Sequence, residues 1–407
     1  MIVAAGTRGD VAPYAGLGLR LQQAGHQVTI GAHAPFEQLV KDAGLAFHAV
    51  PGDIGRLLRV PSPDRAPSPF FLNRRVKDLE TYLADVADGV VDATEGAEAV
   101  LVTGAVPFAY AAAQARGVPS LGVFLQPFEP SAAYPSPMTN THRSLGPWGN
   151  RAVGTAMLDM LFPFTKAANR IRERLGSPSQ SSRSTRRAQA AAGWPVLHGF
   201  SAAVLPRPAD WRAGLEVAGY WWPHEPPGWT PPQDLVDFFA AGPPPVHIGF
   251  GSMANGAGRW LQDAVRQAVE ATGVRAIVQA GWAGLDGGRD ERVFTTGEVP
   301  HSWLLPRVAA TVHHGGAGTT AAGVRAGVPA VVTPVYADQP LWAHRLTRLG
   351  VATSVPFRKL TADRLAEALT TVLRREYRDR AGALAARVGA EDGASAVVAA
   401  VEQLSGP

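Results

Sequence analysis

A glycine-rich turn that begins with two histidines is the part of the chain best equipped for chemistry. It reads His313-His314-Gly315-Gly316-Ala317-Gly318-Thr319 and lies between a predicted buried strand, 309–312, and a predicted helix, 320–326. Glycines let backbone N–H groups approach an anion, and a helix N-terminus adds a fractional positive charge. The histidines and Thr319 add side-chain donors, so the pattern predicts a phosphate site. We expect His314 to contact the ligand and His313 to be structural; for the glycines alone, tight packing is the alternative.

Polar residues elsewhere in the second half of the chain could complete a nucleotide-sugar site. Asp338 and Gln339 offer a carboxylate and an amide, which suit sugar hydroxyls, although a capped turn before Pro340 is the alternative. Ser252 follows a predicted strand and could make a second diphosphate contact, while Val299 could bind a base through its backbone. The sequence contains no Asp-x-Asp pair. We therefore expect no metal, so that the histidine-containing turn must neutralise a leaving group.

The first strand-to-helix turn, Gly6-Thr7-Arg8-Gly9-Asp10-Val11, carries the candidate base. The turn lacks the three-glycine dinucleotide spacing, and no acid follows the second strand near Ala32 to bind a ribose. This disfavours a nicotinamide or flavin enzyme. Asp10 stands at the start of a helix, where it could be the N-cap, a general base for a hydroxyl nucleophile, or both. The helix N-terminus should keep Asp10 ionised and lower its basicity.

Composition excludes several classes of protein. The chain has 407 residues, 46% hydrophobic and 18% charged, which is typical of a globular protein with two domains. Without cysteine there can be no disulfide, thiolate metal site or cysteine nucleophile. The arginines are scattered, which disfavours nucleic acid as a partner; their one cluster lies in the serine-rich stretch 177–187, predicted as a mobile loop. Because no basic leader or apolar span is evident, we expect a cytoplasmic protein without stable membrane insertion.

Strand-like and helix-like segments alternate in both halves, which predicts two doubly wound α/β domains with parallel sheets. Ligands of such pairs usually bind in the cleft between the domains. The predicted boundaries are 1–222 for the N-terminal domain, 223–245 for a proline-rich linker, 246–390 for the C-terminal domain and 391–407 for a C-terminal helix with the first domain as a candidate docking surface.

The segment 127–193 breaks this alternation. It is predicted either as an insertion that lines a binding pocket or as a helical hairpin that covers the sheet. The residues around Gln126, Phe128 and Tyr134, together with 157–164, are apolar enough for a lipophilic, hydroxylated acceptor.

The chain resembles family 1 GT-B glycosyltransferases, in particular their bacterial natural-product and sterol glucosyltransferase-like branch. The matching segments are Gly6–Pro13, Ile248–Met253, Val299–Leu304, His314–Thr319 and Asp338–Pro340. The resemblance implies two Rossmann-like domains that face each other across a cleft. It also implies an inverting, metal-independent transfer of a sugar from a UDP- or TDP-linked donor to a hydroxyl of a polyketide, macrolide or sterol-like acceptor. The donor is then a co-substrate, and no cofactor is expected.

The resemblance also implies a role for individual residues. Asp10 is the base. Many members of the family have a histidine base in the corresponding loop, and another branch has an aspartate there. The implied donor contacts are Ser252, His314, Gly316, Gly318 and Thr319 at the diphosphate, Val299 and His301 near the base, and Asp338 and Gln339 on the sugar.

Two other classes of function remain open at this point. A nucleotide-sugar epimerase of the same architecture would be expected to carry further acids in the cleft. A non-catalytic partner that binds nucleotide sugar would be expected to lose Asp10 or Asp338, and both are present. The sequence predicts neither the acceptor nor the oligomeric state. It also does not predict whether the donor carries uridine or thymidine, whether its sugar is glucose or a deoxysugar, or whether 177–187 becomes ordered on acceptor binding.

Overall fold

The chain forms two compact units, each built around its own sheet. The computed structural model describes residues 1–57, 69–160, 162–225, 228–251, 258–280 and 291–404. Within these ranges, unit 1 contains 1–57, 69–225 and 391–404, and unit 2 contains 228–390. No helix of the described residues combines the length and apolar character needed to cross a bilayer.

A parallel sheet of seven described strands forms the centre of unit 1. The strands are β1 (Ile2–Val3), β2 (Thr29–Ala32), β3 (Ala46–Ala49), β4 (Val100–Thr103), β5 (Ser120–Phe124), β6 (Val196–His198) and β7 (Leu215–Val217). They are ordered β3-β2-β1-β4-β5-β6-β7. All four residues of β4 are buried, as expected of a central parallel strand that helices cover on both faces.

Helices connect these strands. They are α1 (Arg8–Gln23), α2 (Glu37–Asp42), α3 (Pro69–Ala93), α4 (Ala109–Arg116), α5 (Gly146–Asp159), α6 (Phe162–Arg174) and α7 (Ser182–Ala191). The prediction of a mobile loop over 177–187 is wrong for its second half, because α7 begins there. Ser181 caps this helix by accepting a hydrogen bond from Ser184 N at 3.1 Å. Serine is thus the cap of a helix whose following Arg, Ala and Gln residues favour helix formation.

Unit 2 has a parallel sheet of six described strands. These are β8 (Val246–Gly249), β9 (Ala276–Gln279), β10 (Val293–Thr296), β11 (Ala310–His313), β12 (Ala330–Val332) and β13 (Ala352–Ser354), in the order β10-β9-β8-β11-β12-β13. The helices are α8 (Gln233–Ala240), α9 (Gly258–Thr272), α10 (His301–Leu304), α11 (Ala317–Arg325), α12 (Gln339–Arg348), α13 (Ala362–Val372) and α14 (Arg375–Gly389). The two parallel sheets and their helices confirm the predicted α/β class.

Within the described ranges, the chain passes from one unit to the other near the predicted linker and before the last helix. The predicted linker, 223–245, contains α8, and Leu235 and Phe238 of that helix are buried in the core of unit 2. The last helix, α15 (Gly393–Leu404), belongs to unit 1 and packs on α1. A hydrogen bond holds the start of this helix: Trp221 Nε1 donates to the Gly393 carbonyl at 3.1 Å.

Candidate active site

Asp10 lies in the first turn of α1, beyond the carboxyl end of β1. Its Oδ2 accepts hydrogen bonds from the backbone N and the Oγ1 of Thr7, at 2.8 and 2.9 Å. Thr7 is the N-cap and Asp10 is the third helical residue, so the two form a capping box. The alternative that Asp10 is itself the N-cap is therefore wrong. A Cβ on Gly6 would lie 2.6 Å from Asp10 Oδ2, so only glycine fits there.

The surroundings of Asp10 make it more basic than its place at a helix N-terminus suggests. Burial raises the pKa of Asp10, and this effect exceeds the opposing effects of the Thr7 hydrogen bonds and of nearby His33. The expectation that the helix would lower the basicity of Asp10 is therefore overturned by desolvation. A carboxylate with a raised pKa is better suited to accept a proton near neutral pH.

Three further polar side chains lie within electrostatic reach of Asp10, and none of them was predicted from the sequence. His33 Nδ1 donates to the Val50 carbonyl at 2.9 Å, which leaves Nε2 to accept from the Tyr82 hydroxyl at 3.0 Å. Burial lowers the pKa of His33, against smaller raising effects that include the charge of Asp10. Burial and then the charge of Asp10 raise the pKa of Tyr82 and Tyr14. His33 and Tyr82 come from segments distant from α1, so no local pattern could have grouped them with Asp10.

Two predicted acceptor residues lie at the same edge of the sheet as Asp10. A Cβ on Gly104, just beyond β4, would lie 3.2 Å from both Gln126 Oε1 and Phe128 Cε2. The Tyr14 hydroxyl donates to the Val123 carbonyl of β5 at 2.7 Å, and Tyr14 is within reach of the Asp10 charge. Because β4 pairs directly with β1, three residues lie at the carboxyl edge of neighbouring strands: Gln126, Phe128 and the candidate base, Asp10.

The third predicted acceptor residue, Tyr134, lies in a polar cluster that the sequence did not reveal. Its side chain is 6% exposed, and its hydroxyl has no hydrogen-bond partner among the described residues. Burial, then the charges of Asp210 and Glu129, raise the pKa of Tyr134. Asp210 also fixes the loop before Tyr134, because its carboxylate accepts from Ala132 N at 2.8 Å and pairs with Arg151 at 2.7 Å. Burial raises the pKa of Glu129.

In unit 2 the glycine-rich turn forms an open helix N-terminus. Helix α11 begins at Ala317 rather than at 320 as predicted, so Gly318 and Thr319 lie in its first turn. Gly316 is the N-cap and supplies no side-chain hydrogen bond. The first N–H groups of a helix have no intrahelical acceptor, so they are available to an anion. Gly315 has φ +87°, and its N donates to His313 Nδ1 at 3.0 Å, which gives buried His313 a structural contact.

His314 is held against glycines on two sides. A Cβ on Gly316 would lie 2.4 Å from His314 Nε2, and one on Gly251 would lie 3.3 Å from His314 Cε1. The buried Nδ1 of His314 has no hydrogen-bond partner among the described residues. Burial, and then the nearby His301, lower the pKa of His314 to about 4. At neutral pH the ring is uncharged and can act on an anion as a hydrogen-bond donor.

Of the remaining predicted donor residues, His301 lies near this turn. His301 begins α10, and its ring centre lies 6.0 Å from that of His247; its charge also acts on His314. The side chain of Val299 is buried in the unit 2 core, so that only its backbone could serve a base. Ser252 lies outside the described residues. Among the residues that are described, no group of histidines and acids could hold a metal ion.

Asp338 and Gln339 form a constrained turn directly beside the glycines. Gln339 Oε1 accepts from Val335 N at 2.7 Å, and Asp338 Oδ2 accepts from Trp342 Nε1 at 2.6 Å. Ala337, just before them, has φ +59°, an unfavourable conformation for a residue with a Cβ. A Cβ on Gly315 would lie 3.5 Å from the Cβ of Gln339. The structure therefore brings the predicted sugar and diphosphate residues together, with both side chains partly committed to holding the turn.

Family models match both ends of the chain. Residues 1–116 match the glycosyltransferase family 28 N-terminal domain, and residues 289–404 match the C-terminal domain of erythromycin biosynthesis protein CIII-like proteins. O-mycaminosyltylonolide 6-deoxyallosyltransferase of Streptomyces fradiae is 35% identical to this chain over 383 residues. The alignment covers 90% of this chain and 88% of that enzyme. The chain belongs to the GT-B glycosyltransferase family, as the sequence motifs predicted.

A longer relative agrees with this family, and two solved structures share the fold. A sterol 3-beta-glucosyltransferase of Arabidopsis thaliana is 30% identical over 413 residues, covering 98% of this chain and 66% of the relative. The chain thus spans just under two thirds of that protein's length. The spinosyn forosaminyltransferase SpnP has a TM-score of 0.70 at 15% identity, covering 99% of this chain and 98% of that one. The glycosyltransferase VinC, solved in complex with DTDP, has a TM-score of 0.68 at 20% identity with the same coverage. The similarity of this chain to these two structures is a similarity of fold.

Proposed function

We propose that the protein transfers a sugar from a nucleoside diphosphate donor to a hydroxyl of a hydrophobic small-molecule acceptor, with inversion and without a metal or other cofactor. The observation that carries the proposal is Asp10, a carboxylate of raised pKa whose position Thr7 and Gly6 fix. The names of the relatives support the acceptor class, since one acts on O-mycaminosyltylonolide and another on sterols.

The proposed reaction is a single displacement. The Asp10 carboxylate accepts the proton of the acceptor hydroxyl as its oxygen attacks the anomeric carbon of the donor. The bond from that carbon to the diphosphate oxygen breaks, and the electron pair leaves with the diphosphate. The N-terminus of α11 and the neutral His314 ring stabilise the departing charge. One displacement at the anomeric carbon inverts its configuration.

The remaining residues have binding roles in this proposal. Asp338 and Gln339 hold the sugar hydroxyls, and Val299, His301 and Ser252 contribute to the nucleotide site. Gln126, Phe128 and Tyr134 line the acceptor site. Their support is the placement of Gln126 and Phe128 at the edge that carries Asp10, and of Gln339 beside Gly315.

The test is an assay of product and stereochemistry. The full chain is incubated with UDP-glucose or with dTDP-linked sugars and a panel of sterol and macrolide aglycones, with EDTA present. We expect a glycoside with the opposite anomeric configuration to the donor, formed in equal amount with free nucleoside diphosphate. Retained configuration or loss of turnover in EDTA would contradict the mechanism. An epimerised sugar nucleotide would identify the epimerase alternative, and donor binding without turnover would identify the non-catalytic one.

A further inference from the structure

One helix of unit 1 presents an apolar row to solvent. Trp148 at the start of α5 is 92% exposed, Leu145 just before the helix is 64% exposed, and Met160 at its end is 75% exposed. Ala152 and Ala156, spaced four residues apart between Trp148 and Met160, are also exposed. Residues four apart lie on one helix face. We call these five residues the α5 stripe.

The α5 stripe carries no unpaired charge. Between positions 145 and 160 the only charged residues are Arg151 and Asp159. Arg151 pairs with Asp210 at 2.7 Å, and Asp159 pairs with Arg186 at 2.8 Å. The outward face of a surface helix normally consists of polar and charged residues. A solvent-facing row that includes tryptophan, leucine and methionine therefore indicates a surface that contacts something other than water.

Exposed arginines flank both ends of the α5 stripe. Arg143 precedes Leu145 by two residues. At the other end, Ser182 Oγ of α7 donates to the Asp159 carbonyl at 3.1 Å, which places Arg183 and Arg187 of that helix beside the end of the stripe. All three arginines are exposed, and none forms an ion pair with a described residue. Positive charge thus borders an apolar row that is about 20 Å long, the length of α5.

We propose that the α5 stripe docks the protein on the surface of an anionic lipid bilayer. An exposed tryptophan beside leucine and methionine, with arginines at the border, is the combination that a helix lying in a membrane interface uses. The arginines then face the negative lipid headgroups while Trp148 and Met160 enter the boundary of the acyl chains. This charge complementarity favours an anionic bilayer as the occupant over an uncharged apolar partner. The proposal does not depend on the proposed sugar transfer.

The experiment is sedimentation of the full chain with phosphatidylcholine vesicles prepared with and without phosphatidylglycerol. We expect binding to the vesicles that contain phosphatidylglycerol, weakened by high salt. The substitution Trp148→Ala should reduce the partition coefficient about tenfold, because it removes the largest inserted surface. Arg183→Gln together with Arg187→Gln should reduce it about 25-fold, at about fivefold for each arginine. This loss should be confined to the anionic vesicles.

Matched controls separate the stripe from general effects. Val76→Ala removes an exposed apolar side chain of α3 outside the stripe, and Arg374→Gln with Arg378→Gln removes two exposed arginines four residues apart in unit 2. Both should bind as the wild type does, and all variants should keep their thermal unfolding midpoints. Absence of binding to anionic vesicles, or binding that Trp148→Ala leaves unchanged, would overturn the proposal. Self-association in sedimentation velocity that Trp148→Ala abolishes, without vesicle binding, would assign the stripe to a second copy instead.

Discussion

The substitution Gly316→Ala isolates the contribution of His314 to leaving-group stabilisation. A Cβ at this position would lie 2.4 Å from His314 Nε2 and 3.2 Å from its Cδ2 and Cε1. Ordinary carbon–nitrogen contacts begin near 3.4 Å, so the ring must move by about 1 Å. The backbone need not change, because Gly316 has φ −61° and ψ 146°, which alanine adopts freely. A misplacement of about 1 Å can reduce a rate about 10²-fold.

We therefore expect Gly316→Ala to lower kcat/KM about 10²-fold and to weaken diphosphate binding, with the fold intact. The measurements are calorimetric titration with UDP and dTDP and steady-state turnover of the donor. Gly323→Ala is the matched control, because it lies in the same helix and its Cβ would make only a 3.7 Å contact with Thr311. An unchanged kcat/KM for Gly316→Ala, with an unfolding midpoint like that of the wild type, would refute the role of His314.

Three further perturbations have defined outcomes. Gly318→Ala adds a Cβ with no atom within 4 Å, so thermal unfolding without ligand should show unchanged or slightly raised stability. Calorimetry should show that this variant binds diphosphate more weakly than the wild type. Equal affinity would contradict the placement of a diphosphate at this turn. Gly6→Ala should displace the Asp10 carboxylate and lower kcat at least tenfold with little change in donor affinity, and a normal kcat would argue against Asp10 as base. Burial lowers the pKa of His198 to about 4, so the unfolded chain binds a proton more readily between that pH and about 6.5. The free energy of unfolding in urea should thus fall as pH drops through this window, by at most about 3 kcal/mol from this residue; a His198→Asn variant with an equally steep fall would refute the assignment.

Local patterns were sufficient to predict the α/β class and the glycine-rich turn. Ala310 and Val312 are apolar in the buried strand β11, and the glycines follow soon after, so strand, turn and helix are all visible within a short stretch. Boundaries were less accurate: α11 begins three residues early, because Gly316 serves as N-cap without a capping side chain. Helix α3, with 25 residues, was not predicted from the sequence.

Features that depend on distant contacts could not be predicted. The basicity of Asp10 is set by burial, and the neighbours His33 and Tyr82 reach it from other segments. The surroundings of Tyr134 likewise depend on Asp210, 76 positions along the chain, whose charge raises its pKa. Periodicity and turn chemistry act over a few residues, whereas these groupings arise only when the strands of the sheet are assembled.

The most direct test of the central claim is the rate of sugar transfer by Asp10→Asn. Asparagine keeps a side-chain oxygen that can accept from Thr7 N, so the capping box and the start of α1 should survive. We predict that kcat falls about 10²-fold or more, that donor affinity measured by calorimetry is unchanged, and that the acidic limb of the pH–rate profile disappears. A variant that transfers sugar at the wild-type rate, with the same acidic limb, would contradict the assignment of Asp10 as the general base.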